Sequence, residues 1–313
     1  MHLFTRSTRT PERPVQRIIF DGDLVQVGQF HCAPQHDLFR KDNRACGYLI
    51  VFPRSSVYIT HTGRKQVVAT SNVVIFYNKD QTYQREKLSE VGDVCEYFGF
   101  SQQVLLETMQ AYDPWVMDRP YAPFLFTHGP SDADSYLRQR LLVKQILDPT
   151  KPVEPLYVQE QALTLLERAV ARVLPDRQTE ANTPATRRAH AELAHAVKSL
   201  LATRFHESLS LADIAATLYT SPYHLCRVFR QEVGQTIHHY RTQMRLRVAL
   251  DYVLDSDVDL ATLALSLGYA NHSHFTQAFR AAFHATPSTL RSDRETIQRR
   301  RNDTGKMSKN LTV

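Results

Sequence analysis

The chain has 313 residues, of which 42% are hydrophobic and 22% are charged, and its formal net charge at pH 7 is +6. This length allows two domains with separate cores, and without a continuous apolar run of roughly eighteen residues we expect no membrane span. The start lacks the apolar core of a signal peptide, and four scattered cysteines do not indicate a disulfide framework. We therefore expect a cytosolic protein.

The charge is distributed unevenly along the chain. Residues 1–185 carry 21 Lys and Arg against 21 Asp and Glu, whereas residues 186–313 carry 17 against 11, so the whole excess of +6 lies in the second part. This asymmetry predicts a phosphate-binding module beside a neutral one. Part of the excess lies in a polar, solvated end that contains Arg299, Arg300, Arg301, Lys306 and Lys309.

Between Val15 and Phe100, β-branched and aromatic residues alternate with turn residues. This pattern is typical of short strands in an antiparallel barrel or jelly roll. The predicted strands cover 17–20, 24–27, 48–52, 56–60, 66–69, 73–77 and 96–100.

Two helices are predicted after the strands, over 131–147 and 154–174, because apolar residues recur there at helical spacing. The segment 175–184 is polar and bounded by prolines, which predicts a linker. An amphipathic helix over 187–205 follows it.

The stretch from Leu209 to Arg291 contains the same pattern twice. Leu211–Leu218 and Leu260–Leu267 are short apolar-periodic segments, and each is followed by a turn and a second segment that begins with a capping residue. Ser221, with Pro222 behind it, and Asn271 are the predicted caps. Two helix-turn-helix motifs in tandem are therefore predicted.

These residues resemble the DNA-binding domain of the AraC/XylS family of bacterial transcription regulators. The resemblance lies in Ile214-Ala215, residues 221–225 and 227–230, Leu267-Gly-Tyr269, residues 274–280, Thr286-Pro-Ser288 and Arg291. Two positions depart from the family pattern, since Tyr219 and Ala285 stand where glycine is common. The strand-rich part is similar to the cupin-like sensor half of many such regulators, and in the family the helices after it cover the barrel and make the dimer contact. Two helices that merely cover the sheet are the alternative.

The resemblance implies an α+β chain with two domains. A cupin-like sensor and dimerisation domain covers 1–174, a linker 175–186, the double helix-turn-helix domain 187–292, and a polar tail 293–313. It also implies an activator in the bacterial cytoplasm, associated with the nucleoid. The partners that it implies are double-stranded DNA, RNA polymerase, a small-molecule effector and a second copy of the chain.

The second helix of each motif should bury one face and present the other to DNA. The positions that match family contacts are Tyr223, Cys226, Arg227 and Arg230 in the first copy and His272, Ser273, Thr276, Gln277 and Arg280 in the second. Arg can bond a guanine edge twice and Gln can bond adenine similarly. Arg227 is alternatively a phosphate contact or a surface salt bridge.

A helix over 236–254 is predicted to join the two motifs. Nineteen residues span about 28 Å, close to the ~34 Å between successive major grooves on one face of DNA. One chain should therefore read two adjacent grooves. Arg241, Arg245 and Arg247 lie either near phosphates or on the solvated face of this helix.

The first part of the chain also has soft metal ligands, namely His31, Cys32, His36, Cys46, His61 and Cys95. Their spacing matches no strong zinc pattern, so buried structural cysteines are favoured over a metal or redox site. We expect no cofactor and no enzyme. The alternatives are a cupin-type enzyme tethered to DNA and an architectural DNA binder without a sensor.

Overall fold

The computed structural model describes residues 15–150, 153–173 and 184–292. Most of the predicted linker, from 175 to 183, and the predicted tail at 293–313 lie outside the described residues. Where the structure describes the chain, none of its helices is both long and apolar enough to cross a membrane.

Within its described residues, the first half is built on ten strands in two antiparallel sheets. The six-stranded sheet has the order β1-β2-β9-β4-β7-β10, and the four-stranded sheet has the order β3-β8-β5-β6. The strands are β1 (Val15–Asp21), β2 (Val25–Cys32), β3 (Asn43–Arg44), β4 (Tyr48–Pro53), β5 (Val57–His61), β6 (Val67–Ala69), β7 (Val73–Tyr77), β8 (Thr82–Lys87), β9 (Asp93–Phe100) and β10 (His128–Pro130). All seven predicted strands are present, and the predicted fold class is confirmed.

The six-stranded sheet is covered on both faces, which explains why its central strands are so apolar. On β9, Cys95 and Tyr97 point toward the four-stranded sheet, where they share a core with Ile59 of β5. On the opposite face, Phe98 and Phe100 belong to a second core, which is closed by helices. These helices are α1 (Gln102–Gln110), α2 (Ala133–Ile146) and α3 (Pro155–Ala171).

The second half is all helical. It consists of α4 (Pro184–Arg204), α5 (Leu211–Thr217), α6 (Pro222–Val233), α7 (Ile237–Asp255), α8 (Leu260–Ser266) and α9 (His272–Phe283). Residues of α4, α5 and α6 share a core with the first half of α7, and α8 and α9 share another with its second half. The central helix α7 is therefore common to both helix-turn-helix motifs.

The two halves of the molecule also pack against each other. Tyr136 of α2 is fully buried in the core formed by α7, α8 and α9. On the other side of α7, Val68 of β6 is buried in the core of α4, α5 and α6, and the ring of Tyr58 stacks on His195 at 5.8 Å. The first half thus contacts both motifs.

Candidate nucleic-acid interface

The first motif is held in place by its local signals. Ser210 and Asp213 form a capping box at the start of α5, and the side chain of Ser221 accepts a hydrogen bond from the backbone N–H of His224 (3.2 Å) at the start of α6. Gly234 ends α6 with a φ of 74°, a left-handed conformation that glycine adopts without strain. The cap predicted at Ser221 is confirmed.

The face of α6 predicted to be apolar is buried, with Leu225, Val228 and Phe229 at 1% exposure or less. Cys226, Arg227 and Arg230 are exposed on the other side. Tyr223 lies in the first turn of α6, but its side chain is outside the described residues. The exposed side of α6 therefore carries two arginines and a thiol.

The second motif repeats this arrangement. Asn271 Oδ1 accepts a hydrogen bond from the N–H of His274 (2.8 Å), so the second predicted cap is also confirmed. Phe275, Phe279 and Phe283 form the buried stripe of α9, with ring centroids 5.6 Å and 4.7 Å apart. His272, Ser273, Gln277 and Arg280 are exposed on the other side, and Thr276 is partly exposed.

The nineteen residues of α7 give the predicted length of about 28 Å. Neither interpretation of its arginines is correct for Arg245 and Arg247, because both are buried. Arg245 donates to the carbonyls of Phe205 (2.6 Å), Glu207 (2.8 Å) and Gly268 (3.0 Å), and so joins α7 to the loop after α4 and to the second turn. Arg247 bonds Asn72 and Ser131 of the first half. Arg241 is partly buried and donates to the Leu209 carbonyl (2.7 Å).

The first half contains a cavity of about 110 Å³ between its two sheets, which the sequence analysis did not predict. Aromatic side chains and Arg85 line it, and Arg85 is only 4% exposed. Its guanidinium lies 3.3 Å from Asp93, donates to the Tyr83 hydroxyl (2.6 Å) and stacks on Phe30. Its Nη1 has no hydrogen-bond partner among the described residues. Arg85 lies on β8. Because the sequence of β8 is polar, neither this strand nor the cavity was predicted.

The cysteines and histidines of this half are spread over different environments. Cys32 and Cys95 are buried, as predicted for structural cysteines, whereas Cys46 is exposed, so that prediction is wrong for Cys46. Burial raises the pKa of the Cys32 and Cys95 thiols. His36 Nδ1 accepts the N–H of Leu38 (3.1 Å) in a local turn. In the described part of the chain, no three His, Cys, Asp or Glu side chains are placed to hold a metal ion.

A protein-family model described as "Helix-turn-helix domain" matches residues 214–293. The chain is 29% identical over 85 residues to the regulatory protein PocR of Salmonella typhimurium, which covers 27% of this chain and 28% of that protein. It is 31% identical over 87 residues to the bifunctional transcriptional activator/DNA repair enzyme AdaA of Bacillus subtilis, which covers 28% of this chain and 41% of that protein. The match thus spans less than half the length of either curated relative.

The similar solved structures match this chain over different lengths. A transcriptional regulator from Chromobacterium violaceum with an AraC-type DNA-binding domain is 28% identical, covering 35% of this chain and 96% of that one, with a TM-score of 0.31. ToxT from Vibrio cholerae is 12% identical, covering 85% of this chain and 97% of that one, with a TM-score of 0.34.

Proposed function

We propose that this chain, whose residues 214–293 match a helix-turn-helix family model, is a sequence-specific DNA-binding transcription regulator of the AraC type. The observation that carries the proposal is the pair of helices α6 and α9, each capped, each with a buried apolar face and an exposed polar face, at either end of one helix of nineteen residues. Two adjacent major grooves are the surface that such a pair fits.

In this proposal α6 and α9 are the recognition helices, and their exposed side chains contact DNA. Cys226, Arg227 and Arg230 of α6 face one groove, and His272, Ser273, Thr276, Gln277 and Arg280 of α9 face the next. Contact by Tyr223 remains a prediction from the sequence. Arg227 can donate two hydrogen bonds to a guanine edge, and Gln277 can donate one to and accept one from an adenine edge. Arg230 and Arg280, near the ends of their helices, suit phosphate contacts.

The test is selection of bound sequences from random DNA by the full-length protein, followed by titration of the selected site. Arg227→Ala should weaken binding by about 1–3 kcal/mol and relax preference at one position of the site. Arg64→Ala removes the same charge from an exposed turn of the first half and should have no effect. A uniform loss on all sequences would make Arg227 a phosphate contact, and unchanged binding would remove it from the interface.

We infer a regulator rather than an enzyme, because PocR is named as a regulatory protein. AdaA is named as both an activator and a DNA repair enzyme, but the match covers only 41% of its length. The domain limits at 174, 186 and 292 are part of the proposal, as are contact with RNA polymerase, activation of transcription and location in the cytosol. An architectural binder without a sensor is the second candidate, and it would show little sequence preference in the same selection.

We infer further that the cavity between the sheets is the site of a small-molecule effector. Arg85 brings a buried guanidinium into it, which contacts Asp93 through Nε at 3.3 Å. Its Nη1 leaves a donor open toward a ligand. A buried guanidinium recognises a carboxylate with charge-assisted hydrogen bonds, and aromatic walls suit an apolar body. A volume of about 110 Å³ limits the ligand to a few heavy atoms.

A panel of small carboxylates and their amides should separate this chemistry by thermal shift. Carboxylates should raise the melting temperature and the matched amides should not, because ligand binding to the native state stabilises it by mass action. Arg85→Gln should abolish the carboxylate shift. Equal shifts for acids and amides would exclude recognition of the charge.

A further inference from the structure

Six charged side chains meet where α7 lies against the first half of the molecule. They are Arg54, Glu96, Arg140, Lys144, Asp251 and Asp255, and we call them the interface cluster. Asp251 and Asp255 are one helical turn apart on α7, so both point the same way.

Arg140 bonds both aspartates, with Nε 2.8 Å from Asp251 and Nη2 2.9 Å from Asp255. Arg54 reaches the same pair, at 3.3 Å and 2.5 Å. Glu96 lies 2.6 Å from Arg140 and 3.4 Å from Arg54, on the side away from α7. Each arginine therefore bridges a strand of the first half and the helix that joins the two motifs.

The charges of the interface cluster balance only when the two halves are together. The first half contributes three cations and one carboxylate, a net charge of +2, and α7 contributes two carboxylates, a net charge of −2. Arg140 and Glu96 are 2% and 1% exposed. Removing one partner of a buried pair leaves an uncompensated charge, which is far more destabilising than the loss of an exposed pair.

Further along the same face of α7, uncharged groups of the first half form hydrogen bonds with the helix. Asn72 donates to the backbone carbonyl of Tyr240 (2.9 Å), and Arg247 donates to the side chain of Asn72 and to the Ser131 carbonyl (2.6 Å). The helix is thus held at residues 240, 247, 251 and 255, along most of its length.

The strand that carries Glu96 also forms a wall of the cavity. Asp93, Cys95 and Tyr97 of β9 line the cavity, while Glu96 projects from the opposite face of that strand into the interface cluster. A cleft of about 460 Å³ runs between the halves with Arg54 and Asp251 in its wall, so the cluster borders solvent on one side.

We propose that the interface cluster is a conformational coupling contact: Asp251 and Asp255 dock α7 on the first half, so that the state of β9 is transmitted to the helix that sets the geometry of the two recognition helices. The regulatory meaning of this contact rests on the proposed function, but the contact itself does not. Because coupling between two sites is reciprocal, DNA bound to the second half must then change β9.

The test is hydrogen exchange of the full-length protein, followed by segment. In Asp251→Asn/Asp255→Asn, amides of α7 and β9 should exchange faster than in the wild type by roughly tenfold or more, since several charge-assisted hydrogen bonds are weakened. Glu192→Gln is the matched control, because it removes a carboxylate from an exposed ion pair with Arg188 in α4. Exchange in α7 and β9 that stays at the wild-type rate would overturn the proposal.

Asp255→Asn alone serves if the double variant does not fold, because Asp255 is the more exposed of the two aspartates. It should raise exchange in both segments by a smaller factor, and an increase confined to α7 would refute the link to β9. Addition of the selected DNA should alter exchange of β9 in the wild type and leave it unaltered in the variant. If the wild-type protein binds no DNA, the proposed regulator function is refuted. The exchange rates of the wild type and the variant without DNA then still test the interface cluster.

Discussion

Tyr219 and Gly268 occupy the same position in the turns of the two motifs, and both have left-handed backbone, with φ of 53° and 76°. At Gly268 a Cβ would lie 2.6 Å from both the Arg245 guanidinium and the His206 carbonyl, so only glycine fits. Tyr219 is 98% exposed and meets no such obstacle. Tyr219 in place of glycine therefore strains only the backbone, and its side chain meets no obstacle. Near the other departure, the left-handed residue is His284 (φ 57°), one position before Ala285.

His61 gives the first half a pH-dependent stability. Its ring is fully buried and packs on Tyr77 at 4.7 Å, and burial lowers its pKa to about 4. The unfolded chain has the ordinary pKa of about 6.5, so it binds the proton first as the pH falls. The stability is complete above pH 6.5 and declines toward pH 4, with about 3 kcal/mol as the order of magnitude.

Urea unfolding between pH 7.5 and 4 measures this dependence. His61→Phe keeps an aromatic ring beside Tyr77 and should give a visibly shallower decline, and the exposed His239→Gln should retain the wild-type profile. A profile of His61→Phe parallel to that of the wild type would show that other groups cause the acid sensitivity.

At the scale of elements, sequence patterns predicted best where packing is local and repetitive. The strands with alternating or continuous β-branched residues and the capped helices of the repeat were predicted within a few residues. β8 was not predicted, because its residues Thr82–Lys87 are mostly polar. It nevertheless pairs with other strands and carries Arg85, which lines the cavity. α1 was not predicted either, although Leu105, Leu106 and Met109 have the spacing of one helical face.

The helices predicted to make the dimer contact have different surroundings. α2 lies between the β-sheet core and the second half, with Tyr136 fully buried. α3 keeps Leu156 and Tyr157 exposed, at 58% and 40%, on the side away from its buried stripe. Any dimer contact made by these helices is therefore expected on α3 rather than on α2.

Leu156→Glu should accordingly weaken self-association of the full-length protein, because it places a charge in an apolar contact. Sedimentation velocity over a concentration series measures this, together with the gain in affinity for two tandem copies of the selected DNA site over one. Leu265→Glu makes the same change at an exposed leucine of α8 and is the control for sedimentation. If the wild type is monomeric throughout, the dimer is excluded.

At the scale of the whole molecule, the interface between the halves had no signature in the sequence. Charged residues on a helix are expected at the surface, and the groups that bury Arg247, Asp251 and Asp255 lie more than a hundred residues away along the chain. Binding candidates on α6 and α9 could be named from the repeat because they face outward from a local motif. The residues that join the halves depend on how distant segments fit together.

The contacts of Arg247 also limit how this chain can be recombined with others. Burial lowers the pKa of its guanidinium to about 10, so it is still a cation at neutral pH, and it is only 1% exposed. A graft of residues 184–292 onto a foreign sensor would carry that cation, and the two aspartates beside it, to a surface without Asn72, Ser131, Arg54 or Arg140. Such a chimera also needs the residues of the first half that contact α7. The alternative is to substitute neutral side chains at 247, 251 and 255.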